Sequence, residues 1–331
     1  MAPLLRRLAA ATAAALGLAA CDGHLPPEPE ITTNSTTTPA PSLTASLSGS
    51  EATDTPSDLA TLMDNMNVVL GTEGADYRVA MAEYVTDGSD GVPGDTVLAK
   101  NVGNKMLSAD FVPGDPRRAE WSGAAAGFDN ITFAIDGTGD AVPPRGGLTA
   151  AQTDAAIVSA MTTWDQETCS DLALTRNASG TTDIGFVAAL NGLGGSFAIV
   201  ADVQHAGWRD INFAGGILGV TFTFVFVTDD GAPTDINADG RADAAFRETY
   251  YDPSFIWRTD GGNVDVQTVA LHESGHGLSQ AHFGTVVLRS DNTLRISPRA
   301  VMNAVYAGPL RELTGTDDGG HCANWANWPV N

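Results

Sequence analysis

Leu271-His272-Glu273-Ser274-Gly275-His276-Gly277-Leu278-Ser279-Gln280-Ala281-His282 is the stretch on which the reading of this chain turns. His272 and His276 stand one helical turn apart, so both imidazoles leave the same face of a helix and can share one zinc ion. Glu273 is angled toward a zinc-held water rather than the metal, and zinc lowers the pKa of such a water toward about 7. Val264, Val266, Val269 and Ala270 give the predicted helix, 264–278, an apolar side for anchoring, and Asp265 or Asn263 is its expected cap. The chain has six histidines, and three of them fall between 272 and 282.

With the third histidine included, His272-Glu273-x-x-His276-x-x-x-x-x-His282 resembles the metzincin zinc signature, and its surroundings resemble the matrixin branch most. The resemblance implies a zinc metalloendopeptidase: Zn2+ on His272, His276 and His282, with Glu273 as general base. It also implies a sharp turn after the second His and a methionine turn beneath the site. Val301-Met302-Asn303-Ala304-Val305-Tyr306 matches that turn, with Met302 as the family Met and Tyr306 as the tyrosine in the wall of the specificity pocket. The likeness spans about 128–310, with its specific motifs at 272–282 and 301–306. Two departures stand out. Ser279 occupies the turn where the family has Gly, and a left-handed backbone there costs a non-Gly residue about 1–2 kcal/mol. His282 and Met302 are also further apart than in typical matrixins, with an insert, 286–296, that reads as a β-hairpin turning at Ser290-Asp291-Asn292. No cysteine-switch motif precedes the region. Glu312, Asp318 and His321 are the alternative donors for the third metal position.

Working outward, the pattern is α+β: a metzincin-like catalytic domain, 128–331, with a mixed twisted sheet, a long first helix and the zinc-binding helix. Strands are expected at 130–135, 172–175, 184–187, 197–203 and 218–227. The long helix is expected over 149–167, capped by Thr149, with Ala155, Ile157, Ala160, Met161 and Trp164 at helical spacing. Upstream, 58–127 reads as a small β-rich accessory or pro-region. A short helix opens at Asp58, Tyr77–Thr86 is strand-like, Asp87-Gly88 is a turn and 96–99 a second strand. Propeptide, accessory module and integral first layer are all compatible with that pattern.

Residues 1–21 read as an export signal, with Arg6 and Arg7 before an apolar run, Leu8 to Leu18. Leu18-Ala19-Ala20-Cys21 resembles a bacterial lipobox, which implies lipidation at Cys21 and an exported, membrane-anchored lipoprotein facing the periplasm or cell surface. The Pro/Ser/Thr-rich stretch 22–57 reads as a disordered tether. The remaining cysteines, Cys169 and Cys322, form an even pair in an oxidising compartment and are expected to be a disulfide, the alternative being two buried thiols.

Lys+Arg number 17 against 40 Asp+Glu, a formal charge of −23. So acidic a chain repels nucleic acid and anionic lipid, leaving a lipid at Cys21 as the route to a membrane. The expected partner is a protein or peptide substrate, and a monomer is expected. Asp235-x-Asn237-x-Asp239-Gly240-x-x-Asp243 has the oxygen spacing of the first part of a Ca2+ loop, without the bidentate acid that completes one. An acidic turn is the alternative. His205, beside Trp208, is either a structural zinc ligand or, in the favoured reading, a packed, hydrogen-bonded residue. Besides the endopeptidase, two functions stay open: a non-catalytic metal-binding surface lipoprotein, and a zinc hydrolase of a non-peptide amide.

Overall fold

In the computed structural model, the structure describes residues 55–330 except 101, 103–108, 123–128, 212, 214 and 291–293. The export signal, Cys21 and nearly all of the tether lie outside the described residues. Among the described residues, no helix is long and apolar enough to cross a membrane.

Two ten-residue strands lie at the centre of the main sheet. Ile217–Phe226 and Ala242–Tyr251 are buried at every position, as strands covered on both faces must be. In chain order the elements are α1 (Thr55–Thr72), β1 (Tyr77–Thr86), β2 (Thr96–Leu98), β3 (Ala109–Asp110), α2 (Ala119–Ser122), β4 (Ile131–Ile135), α3 (Ala150–Asp165), β5 (Leu174–Arg176), α4 (Phe186–Leu190), β6 (Val203–Trp208), β7 (Ile217–Phe226), β8 (Ala242–Tyr251), β9 (Trp257–Arg258), β10 (Val264–Asp265), α5 (Val266–Gly277), β11 (Thr285–Leu288), β12 (Leu294–Ser297) and α6 (Gly315–Trp325). The main sheet runs β2-β1-β7-β8-β6-β4-β5, with β3 beside β8. β4, β5, β6 and β8 are parallel to their neighbours in that half, whereas β7 is antiparallel to both β8 and β1. The fold is therefore α+β with a mixed sheet, as the sequence pattern indicates.

Several expectations shift. The capping box Thr149/Gln152 starts α3, and Ala156, Ile157, Ala160, Met161 and Trp164 are buried, while Ala155 faces solvent. Residues 184–187, expected as a strand, form none: Gly185 is the N-cap of α4, and Phe186 and Val187 are its first turn. The buried Glu248 carboxylate accepts the amides of Phe186 and Val187, which favours a helix N-terminus there. Of 197–203, only Val203 enters a strand. β8 and α6 have no counterpart in the sequence reading; β8 carries Asp243, Arg247 and Glu248 among apolar residues yet is buried at every position. The 286–296 insert does pair, as β11 with β12, though most of its turn lies outside the described residues.

Residues 58–127 supply α1 and three strands of the same sheet as the rest, with β1 paired to β7 along its whole length. In the intact chain they pack as part of that sheet. Asn67 ties α1 to β1 by exchanging two hydrogen bonds with the Val79 backbone, each 2.8 Å.

Cys169, just beyond α3, is disulfide-bonded to Cys322 in α6, across 153 residues of sequence. Closing so long a loop removes much chain entropy from the unfolded state. Cys322→Ser should lower unfolding free energy by about 3 kcal/mol in urea titrations under non-reducing conditions; an unchanged midpoint would show that the bridge adds nothing.

Candidate metal centre

α5 is a short helix buried from Val266 to Gly277 except at Gln267, so its placement is set by neighbours on nearly every side. Asp265 is its cap, accepting from the Thr268 amide and hydroxyl at 3.0 and 2.7 Å, and it is also ion-paired with Arg311. Trp164 of α3 donates to the Leu271 carbonyl at 2.9 Å, and so fixes α5 against α3 next to His272.

The helix ends in a Schellman arrangement: the Gln280 amide donates to Gly275 O (2.8 Å) and the Ser279 amide to His276 O (3.1 Å). Ser279 does take the left-handed conformation, φ 65°. Its hydroxyl donates to Ala109 O at 3.0 Å and accepts from Arg247 Nη2 at 3.0 Å. Those bonds offset the strain that a glycine would avoid, so the sharp turn survives the Ser-for-Gly departure. Arg247, fully buried, also donates to His276 O.

The turn returns the chain so that His282 Nε2 lies 3.3 Å from His276 Nε2, which in turn lies 3.0 Å from His272 Nε2. Among the described residues, this is the one group of three or more His, Cys, Asp or Glu whose ligand atoms all lie within 4.8 Å of one another. His272 Nδ1 faces Val301 O at 2.7 Å, and His276 Nδ1 faces Gln280 O at 2.8 Å. A carbonyl can only accept, so both rings carry their proton on Nδ1 and present a bare lone pair at Nε2. Burial holds all three neutral, with His272 down to about 4, His282 to about 3 and His276 well below its ordinary value. Lone pairs packed this closely, with no proton between them, repel unless a cation sits among them. Nitrogens about 2.0–2.1 Å from a tetrahedral zinc stand about 3.3 Å apart, so the donor set fits zinc.

Met302 packs against the same helix, α5. A Cβ on Gly275 would fall 2.3 Å from Met302 Sδ, so the glycine between the two helical histidines lets the thioether pack against the helix. Met302 O accepts from the Phe283 amide at 2.7 Å, and Asn303 Nδ2 donates to Phe283 O at 2.8 Å. Residues 301–303 thus hold His272 directly and His282 through its neighbour. Asp317 in turn holds that segment: buried in the first turn of α6, it accepts from the amides of Val301 (2.9 Å) and Met302 (3.0 Å). Sequence reading passed over Asp317 for its neighbour Asp318. The available signal was Thr314-x-x-Asp317, a capping-box spacing, and Asp317 accepts from the Thr314 amide.

Glu273 points from α5 to β7. Thr221 Oγ1 donates to its Oε2 at 2.7 Å, and a Cβ on Gly219 would lie 2.9 Å from its Oε1. The residue is 0% exposed. Burial first, and the nearby Glu83 charge second among the raising causes, push its carboxyl well above the usual range, against the Thr221 hydroxyl and the Val85 amide. Burial likewise raises Glu83 to about 7. Glu83 Oε1 sits 3.4 Å from His276 Nδ1, a contact with a neutral ring rather than an ion pair. Tyr306 lines a narrow cavity beside His272 with Val85, Val301 and Leu310. Its hydroxyl donates to Asn263 O and accepts from the Asp265 amide, each at 3.1 Å.

The other candidates are spent elsewhere. His321 contacts Ser170 at 3.1 Å and stacks on Trp164. Neither Glu312 nor Asp318 belongs to the histidine group. Buried His205 contacts the Tyr251 hydroxyl at 2.8 Å, the packed arrangement. In the acidic loop, Asp235 accepts from the amides of Asp239 and Gly240, and Asn237 donates to Asp239. Asp243 is turned inward to Arg117, at 2.8 Å, and Thr234. The loop's carboxylates serve as turn and ion-pair acceptors and do not converge as a ligand group among the described residues.

Neither the family models nor the curated proteins searched include a match to this chain.

Asp317→Asn keeps the shape but loses acceptor strength beneath the turn. It should weaken zinc binding about 10- to 100-fold in a chelator competition, and wild-type affinity would refute this chain of support.

Proposed function

We propose that the chain is a zinc-dependent endopeptidase with a metzincin-like fold, and the observation that carries this is the convergence of His272, His276 and His282, whose ligand nitrogens all lie within 4.8 Å of one another, with the buried carboxyl of Glu273 on the same helix. Supporting it are the turn at Ser279, the packing of Met302 on Gly275 and the cavity flanked by His272 and Tyr306. When bound, zinc supplies Lewis acidity toward a carbonyl and a water. His272, His276 and His282 would hold it, and their Nδ1 protons, where tied to carbonyls, keep the rings from rotating away. Glu273, whose high proton affinity follows from burial, would take a proton from the attacking water and pass it to the leaving amine. Thr221 orients one oxygen of that carboxyl and leaves Oε1 without a partner, available for this transfer. The cavity beside His272 would receive a substrate side chain next to the bond being cut.

Export and a lipid anchor at Cys21 remain part of the proposal and rest on the N-terminal sequence alone. One observation favours a second reading, a non-catalytic metal-binding surface lipoprotein: Glu273 is covered in the intact chain. The two differ in what the carboxyl does. Purified protein should hold about one zinc per chain, the capacity of a three-His site. Casein cleavage, assayed on the intact chain and after brief, quenched trypsin treatment, should fall at least about 100-fold in Glu273→Ala with zinc retained. Zinc in both proteins, with cleavage in neither preparation, would support the binder.

A further inference from the structure

Three facts about burial conflict with open access to the site: Glu273 and His276 are 0% exposed, and His272 is 3% exposed. β1 packs over them on one side: Glu83 Oε1 lies 3.4 Å from His276 Nδ1, and the Val85 amide faces the Glu273 carboxyl. On β7, the residues touching the Glu273 side chain are Gly219 and Thr221, and their partners across the β1–β7 ladder are Val85 and Glu83. Val85 reaches into the cavity beside His272 and Tyr306. Beyond it, the end of β1 is gripped on its other side. Thr86 bridges Val305 in parallel and the Tyr306 amide donates to Thr86 O at 2.8 Å, while further back β1 pairs with β2 on that side.

An extended segment bonded through its backbone to a strand on one side and to a loop on the other, with alternate side chains in pockets, is how a protein binds a peptide by strand addition. We infer that β1 is an intramolecular occupant of the groove between β7 and residues 305–306, seated where a peptide substrate would lie, and that it keeps the site closed. The inference rests on the endopeptidase reading and extends it to the regulation of that same site. The backbone of β7 and of Tyr306 would offer a substrate the same amides and carbonyls that β1 now uses. Val85 stands in for the substrate side chain that enters the cavity, which selects a small or medium apolar residue at that position. Asn67 couples α1 to β1, so helix and strand leave together. A substrate must displace β1, and its apparent affinity is reduced by the fraction of chains in which β1 is already out.

The test uses the full zinc-loaded chain and a fluorescein-labelled decapeptide with the sequence of Tyr77–Thr86. Val85→Ala empties the cavity mildly, and Ala82→Pro breaks the ladder in mid-strand. Zinc content and circular dichroism report whether each variant is folded. Folded variants should bind the peptide at least about tenfold tighter than wild type by anisotropy and cleave a quenched apolar peptide faster by a similar factor. In the wild-type chain, peptide at saturating concentration should speed hydrogen exchange of amides 79–86, since both strands cannot pair with β7. Wild-type affinity in a folded variant, or exchange in β1 left unchanged by bound peptide, overturns the inference. Tighter binding without cleavage keeps β1 as the occupant and sinks the peptidase. Cleavage by wild type at the variants' rate does the reverse.

Discussion

Everything at this site depends on two ring protons being held away from its centre. The Val301 and Gln280 carbonyls take the Nδ1 protons of His272 and His276, and the opposite nitrogens then face each other as bare lone pairs. Such an arrangement is costly alone and favourable around a cation, so the protein spends folding energy on a geometry that only an ion rewards. Burial adds to this by keeping the rings neutral, since a protonated imidazole would find little water there.

The support for those carbonyls is not local. Val301 is set by Asp317, which belongs to the last helix, and that helix is tied by Cys322 to Cys169 beside α3. α3 in turn fixes α5 through Trp164. The histidine centre is therefore enclosed by a loop of contacts that starts and ends at α5. Loosening any member lets the lone pairs separate, and ligand precision on a scaffold comes from this kind of surrounding shell.

The polar layer between α5 and the sheet is unusual for a core. Glu83, Glu273, Thr221, Thr249 and Arg247 are all nearly or wholly buried. Arg247 links this layer to the helix end, donating to His276 O and Ser279. Buried groups of this kind cost desolvation energy and are kept where they orient something. Here they orient the turn that returns His282 and the Glu273 carboxyl. β1 completes the enclosure from the other side of β7.

Sequence alone determined what local spacing encodes. The His-Glu-x-x-His turn, the Thr149 and Asp265 caps, the strand at 77–86 and the β-prone run of β7 are each written in contiguous residues, because helix and strand periodicity act over one or two turns. The α+β class follows from the order of those pieces. Tertiary structure decided whatever depends on residues distant in the chain. It began a helix at Phe186 through Glu248, and it buried the charged strand β8 between neighbours. It offset the strain at Ser279 with Arg247 and Ala109, and chose Asp317 to hold Met302. It also laid β1 across the histidine helix. None of these has a period or a motif, because each is a contact between surfaces that only packing brings together.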